Sequence, residues 1–152
     1  MKLLTKEIEE MFRASKRDEE TPAHERKVLC KFFDPTGRLT LYVLEAEEGE
    51  YEDENGKPYK DWCLFGYMVS PLGPDCDEFG YSMLSELQAV RGRFGLGIER
   101  DLHFGHPTLG EAVPSLVPCR ECQGGSVVCD TCDECGGRHC QMCSPCAPLK
   151  PA

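Results

Sequence analysis

Eight cysteines stand between Cys119 and Cys146 in the pattern C-R-E-C-Q-G-G-S-V-V-C-D-T-C-D-E-C-G-G-R-H-C-Q-M-C-S-P-C. Two residues between paired cysteines let both thiolates of a turn face one ion, at about 2.3 Å for zinc. Cys119/Cys122 and Cys129/Cys132 are two such pairs, separated by a stretch holding Gly124 and Gly125. Cys135 precedes Gly136 and Gly137, residue types that turn tightly around a metal, and Cys140, Cys143 and Cys146 complete the set. Eight thiolates match two tetrahedral four-cysteine zinc sites, so two zinc ions are the expected cofactors. The order along the chain suggests Cys119, Cys122, Cys129 and Cys132 for one site and Cys135, Cys140, Cys143 and Cys146 for the other, although an interleaved arrangement has the same spacing. His139, beside Cys140, is an alternative ligand. With all positions filled by thiolate, such zinc holds a shape and leaves no place for a reacting water.

Rival chemistries are weaker. Cys129, Cys132 and Cys135, and again Cys140, Cys143 and Cys146, resemble the start of a ferredoxin-type run, but neither triplet is followed by a fourth cysteine after three intervening residues. Disulfides require an oxidising compartment, and the opening MKLLTKEIEEMF breaks its apolar run with charge too early for an export signal. A tail that takes metal adventitiously is the remaining alternative. The cluster holds Arg120 and Arg138 against Glu121, Asp130, Asp133 and Glu134, and each four-cysteine zinc site adds about two negative charges. Phosphate-facing cations are therefore scarce, and a protein partner is expected over nucleic acid.

Elsewhere the signals are fainter. Glu45, Glu47, Glu48, Glu50, Glu52, Asp53 and Glu54 form an acidic run, read either as a solvated loop or as a surface offered to a basic partner. Glu99-Arg100-Asp101-Leu102-His103 has the residue types of acid–base chemistry, but a surface ion pair beside a strand-end histidine explains it as well. Cys30, Cys63 and Cys76 are scattered, as core thiols are. No P-loop, dinucleotide fingerprint, nucleophile elbow or zinc-protease motif occurs, so enzymatic activity has no positive support.

The elements that must carry these residues divide the chain in two. All 13 aromatic residues lie at or before Phe104, whereas the cysteine cluster has only Val127, Val128 and Met142 as large apolar residues. A segment so poor in apolar surface needs a staple to offset chain entropy. The expected organisation is a domain over 1–105, a Pro-containing extended linker over 106–118, a cysteine-rich zinc module over 119–146, and a tail over 147–152. Within the first domain, Leu4, Ile8, Met11 and Phe12 mark an amphipathic helix over 3–14 with Thr5 as its N-cap. A charged coil over 15–27 leads to strands over 28–33 and 39–44, joined by Asp34-Pro35-Thr36-Gly37. Asn55-Gly56 marks a turn before a strand over 59–69, and a short strand follows over 79–81. Ser82 is the expected cap of a helix through Leu84, Leu87 and Val90, and a last strand is expected over 97–104. Strands in runs with flanking helices give an α+β fold with an antiparallel sheet. A formal charge of −10 opposes nonspecific binding to nucleic acid or anionic membrane. No run approaches the roughly 18 apolar residues of a membrane span, so a cytoplasmic protein with no membrane partner is expected.

Three stretches, MKLLTKEIEE, KFFDPTGRLTLYVLEAE and FGYSMLSELQAVRGRFGLGIERDLHF, occur in this order within residues 1–105. In them the chain resembles an uncharacterised bacterial family, the domain of unknown function 2958. The resemblance implies a small soluble protein associated with plasmids and integrated conjugative elements, where it sits beside anti-restriction and DNA-maintenance genes. It supplies no catalytic residues. The paired cysteines are similar to the zinc hairpins of DnaJ-type co-chaperones in spacing alone, because the full CxxCxGxG repeat is missing. Taken together, these readings lead to the expectation of a noncatalytic accessory protein of a mobile element, with nucleic-acid binding or iron–sulfur electron transfer as the alternatives.

Overall fold

The computed structural model describes residues 2–118. The chain divides into two compact units: Met1–Glu20 with Lys27–Pro107, and a second of which residues 21–26 and 108–118 are described. The eight clustered cysteines and His139 lie outside the described residues.

The first unit is a five-stranded antiparallel sheet carrying helices, the α+β class that its strand runs predict. Its strands are β1 Cys30–Phe33, β2 Thr40–Glu52, β3 Pro58–Val69, β4 Glu78–Met83 and β5 Glu99–Arg100, in spatial order β4-β3-β2-β1-β5. Helix α1, Lys6–Ala14, begins where Thr5 Oγ1 accepts the Ile8 amide at 3.4 Å. It buries Ile8 and Phe12, while Leu4 and Met11 pack at the margin of the core. Phe12 meets Trp62 of β3, with ring centroids 5.3 Å apart. Burial of each such side chain contributes roughly 2 kcal/mol, against a few tenths for the exposed Glu9–Arg13 pair on the same helix. The apolar face therefore fixes α1 on the sheet. Leu41 and Val43 of β2, Trp62 and Leu64 of β3, and Phe32 of β1 form the sheet side of this core.

Strand β2 extends eight residues beyond the expected end at Leu44. Its register against β3 shifts between Val43 and Glu45, and then continues through Glu52 opposite Pro58. The extra residue at this bulge is Leu44, which is why Val43 and Leu44 are both buried in succession. Only Asp53–Lys57 remain as the turn: the Asp53 carboxylate accepts the Asn55 and Lys57 amides, each at 2.9 Å, and Gly56 takes φ 75°. The acidic run, for which a solvated loop was one reading, is thus mainly strand. Strand β5 is only two residues long, because Asp101 and the residues after it leave the sheet.

Helix α2, Leu84–Ala89, starts one residue later than a Ser82 cap would place it. Its N-terminal amides are met from β3 instead. Asp61, only 6% exposed, accepts the Ser85 amide at 3.2 Å and the Ser85 hydroxyl in a short bond, as well as the Trp62 amide at 2.8 Å. The Glu86 carboxylate accepts the Met83 amide at 3.3 Å.

In the second unit, the stretch expected to be extended is helical in two places, α3 Leu109–Ala112 and a 3₁₀ turn over Pro114–Leu116. Thr108 caps α3 through the Glu111 amide at 3.2 Å, and Leu109 and Leu116 are fully buried. Burial of these two apolar residues, seven apart, favours the compact turn over an extended chain. The Leu109 amide also bonds the Arg26 carbonyl at 2.9 Å.

Candidate functional site

Alternation along β2 splits the acidic run between the two faces of the sheet. Past the bulge, Ala46 is buried with Leu64 on the face that receives α1, and Glu48 stands opposite Trp62 on the same face. Arg13 of α1 reaches Glu48 at 3.6 Å and lies 6.0 Å from the Trp62 ring. Glu50 and Glu52 continue this side of the ribbon, and Glu50 pairs across the strands with Lys60.

Glu45 and Glu47 point the other way. The register sets Glu45 opposite Phe65 and Phe65 opposite Tyr81, so one row crosses three strands; the next row joins Glu47, Cys63 and Met83. Phe65 and Tyr81 have ring centroids 5.1 Å apart, and Tyr81 is 68% exposed. The chain leaving α1 closes one side. The Ser15 hydroxyl bonds the Ala46 amide and carbonyl, each at 3.2 Å, and the Asp18 amide donates to Glu45 Oε1 at 2.7 Å. Ser15, Arg17, Glu45, Ala46, Glu47, Cys63, Phe65 and Tyr81 together line an open cleft of about 400 Å³. Its floor is aromatic and its rim carries carboxylates.

The cleft's electrostatics follow from this placement. Burial first, then the neighbouring Glu47 and Asp61 carboxylates, push the Cys63 thiol above its ordinary range. The Tyr51 phenol is pushed up in the same way, by desolvation and then by Cys63, Asp61, Glu47 and Tyr59. Both shifts come from burial first and from the neighbouring acidic groups second. The same two causes disfavour a thiolate nucleophile at Cys63. Cys30 lies in the core, where burial pushes its thiol up to about 12, and Cys76 is exposed.

The Glu99–His103 segment does not assemble as an acid–base site. Arg100 turns to Thr5 Oγ1 at 3.0 Å, Asp101 pairs with Lys31 at 3.4 Å, and the Asp101 carboxylate also accepts the His103 backbone amide at 3.0 Å. Lys31 in turn stands 5.5 Å from the Phe33 ring and 5.7 Å from the Phe104 ring. Asp101 thus fastens the end of β5 to β1. Among the described residues, no three His, Cys, Asp or Glu side chains gather closely enough to hold a metal ion, and no helix is long and apolar enough to cross a membrane.

The segment that builds the sheet, the ribbon and the cleft matches a known family model, described as "Protein of unknown function (DUF2958)", over residues 3–109. The chain belongs to this family. No curated protein and no solved structure matches it. The DUF2958 segment contains every residue of the cleft and ends before the first clustered cysteine, Cys119. Arg17, Cys63, Phe65 and Tyr81 were not marked as site residues by sequence. The acidic run and the Phe65 and Tyr81 strands were visible separately; the three-strand register that unites them was not.

Proposed function

We propose that this DUF2958 protein is a noncatalytic accessory factor of a bacterial mobile genetic element that works by binding another protein. Its C-terminal cysteines, Cys119, Cys122, Cys129, Cys132, Cys135, Cys140, Cys143 and Cys146, hold two zinc ions and thereby give the tail a surface. The observation that supports this reading most directly is the acidic ribbon and cleft. Carboxylates that sequence alone allowed to be a solvated loop stand mainly on a paired β-ribbon, beside exposed aromatic rings. Aromatic anchors with polar groups at the rim are typical of protein-binding surfaces, because such rings lose little entropy on binding. The reactive residue types, by contrast, have structural employment: Asp61 caps α2, Asp101 holds Lys31, and Cys30 is buried. The mobile-element setting rests on the sequence resemblance, and the zinc on cysteine spacing.

The test is an affinity pull-down with the whole chain, a chain ended before Pro118, and a chain with Glu47 and Tyr81 replaced. Specific partners lost from either altered chain identify the surface that binds them. A partner set unchanged by both alterations overturns the interaction role. Metal analysis of protein purified without oxygen accompanies it: about two zinc per chain is expected, and iron with sulfide would replace zinc by an iron–sulfur cluster.

A further inference from the structure

We propose that the cleft bounded by Glu45, Glu47, Cys63, Phe65 and Tyr81 binds an arginine side chain of a basic peptide segment. This deepens the protein-binding reading by naming what the partner must present, and it rests on that reading for its biological setting.

The geometry suits a guanidinium. Adjacent strands lie roughly 4.8 Å apart, so the row Glu45–Phe65–Tyr81 sets a carboxylate at one end of an aromatic surface about two strands wide. A planar guanidinium stacked on the exposed Tyr81 ring, which is tilted 48° to Phe65, keeps its edge free to fork toward a carboxylate, a combination of planar stacking and bidentate pairing that lysine lacks. Glu45 is held in place by the Asp18 amide, so its orientation precedes binding. Glu47, exposed and one row further along, supplies the second carboxylate. Glu47 and Asp61 stand close enough to Cys63 to add to the upward displacement that burial gives its thiol, so two carboxylates act on this face. About 400 Å³ is ample for a side chain of this size.

The charges around the cleft agree in sign except one. Arg17 also lines it, but its guanidinium is largely exposed and pairs with Glu19 at 2.6 Å. It is therefore a local competitor for the carboxylates and not a receptor for an anion. Removing Arg17 strengthens or preserves binding of a cation, whereas it abolishes binding of an anionic ligand.

The experiment is an NMR titration of the ¹⁵N-labelled full chain with the capped tripeptide Gly-Arg-Gly. Parallel titrations use the lysine and citrulline versions, the last being neutral but nearly isosteric with arginine. Saturable shifts centred on Glu45, Glu47, Cys63, Phe65 and Tyr81 are expected for arginine, weaker ones for lysine and none for citrulline. Glu47→Gln and Tyr81→Ala should each weaken arginine binding about tenfold or more, a loss of about 1.4 kcal/mol. Tyr81 is exposed, so its removal leaves the fold intact. Arg17→Ala should bind as well or better, and Glu52→Gln, on the other side of the ribbon, should bind as the parent does. Citrulline binding as tightly as arginine, or Glu52→Gln weakening it as much as Glu47→Gln, overturns the proposal. If the tripeptide fails while pull-down partners still depend on the tail, the cleft assignment falls and the protein-binding reading stands. If the tripeptide binds as expected but no alteration changes the partner set, the cleft stands and the protein-binding reading falls.

Discussion

The Asp77 carboxylate receives both terminal nitrogens of Arg38, at 2.6 and 2.7 Å, and the Ser70 amide at 2.8 Å. Arg38 also donates to the Ser70 carbonyl at 2.5 Å, so one ion pair ties the start of β2 to both ends of the loop between β3 and β4. The Arg38 hydrogen bonds, outweighing burial, hold the Asp77 carboxyl below the usual carboxylate range. A group depressed in the folded state adds stability that is present above its unfolded pKa, about 3.9, and is lost as pH falls through the folded value. Asp77→Asn should therefore unfold at lower urea than the parent at pH 7. The gap should narrow below about pH 4 and close under the folded pKa. Urea melts at a series of pH values measure this, and a gap that stays constant from neutral to acid would show that Asp77 acts only through neutral hydrogen bonds. At this scale the sequence is a poor guide. Arg38 and Asp77 are 39 residues apart, and nothing in their local pattern couples them.

Gly66 of β3 faces the bulge in β2. A Cβ there would collide with the Tyr42 carbonyl oxygen and stand 2.9 Å from its carbon and 3.1 Å from the Val43 Cα, all of them backbone atoms unable to swing aside. Its cross-strand neighbour Gly80 has open space at the same position. Gly66→Ala should cost about 3 kcal/mol through overpacking, while Gly80→Ala should stay within about 0.5 kcal/mol of the parent. Equal midpoints in chemical denaturation for the two variants would refute the close approach at the bulge. The same bulge explains what could be read from sequence. Helix α1, the β1–β2 hairpin and the turn at Asn55-Gly56 follow from local signals: a capped apolar stripe, Asp34-Pro35-Thr36-Gly37, and a glycine free to take positive φ. The length of β2 did not follow, because a run of glutamates has weak strand propensity and is held in the sheet by pairing with β3. Helix α2 was foreseen but not its cap, since Asp61 arrives from another element. Phe94, with φ 60° and its ring largely exposed, likewise departs from anything its residue type suggests. The candidate cleft depends on register across three strands, a property that no window of one strand contains.

Across the whole chain, on the proposed zinc reading, the net charge of −10 and the cysteine cluster are linked through metal. Two four-cysteine zinc sites would make the protein more acidic, since four thiolates outweigh each ion. Metal binding to a segment so poor in apolar residues is inseparable from its folding, so removing zinc should unfold that segment. The DUF2958 segment has its own core, with Phe12, Phe32, Leu41 and Leu64 fully buried, and needs no metal to offset chain entropy. The chain's single tryptophan reports on that core alone: Trp62 is 5% exposed and packed on Phe12. Chelation of the zinc-loaded full chain should therefore release about two zinc ions, raise the susceptibility of the tail to protease, and leave Trp62 emission and its cooperative melting unchanged. A red shift of Trp62 on chelation would mean that the metal supports the sheet as well. The charge change has its own signature. Loss of zinc lets thiolates take up protons at neutral pH, so the stripped chain should migrate as less acidic in native electrophoresis, and return to its original mobility when zinc is restored.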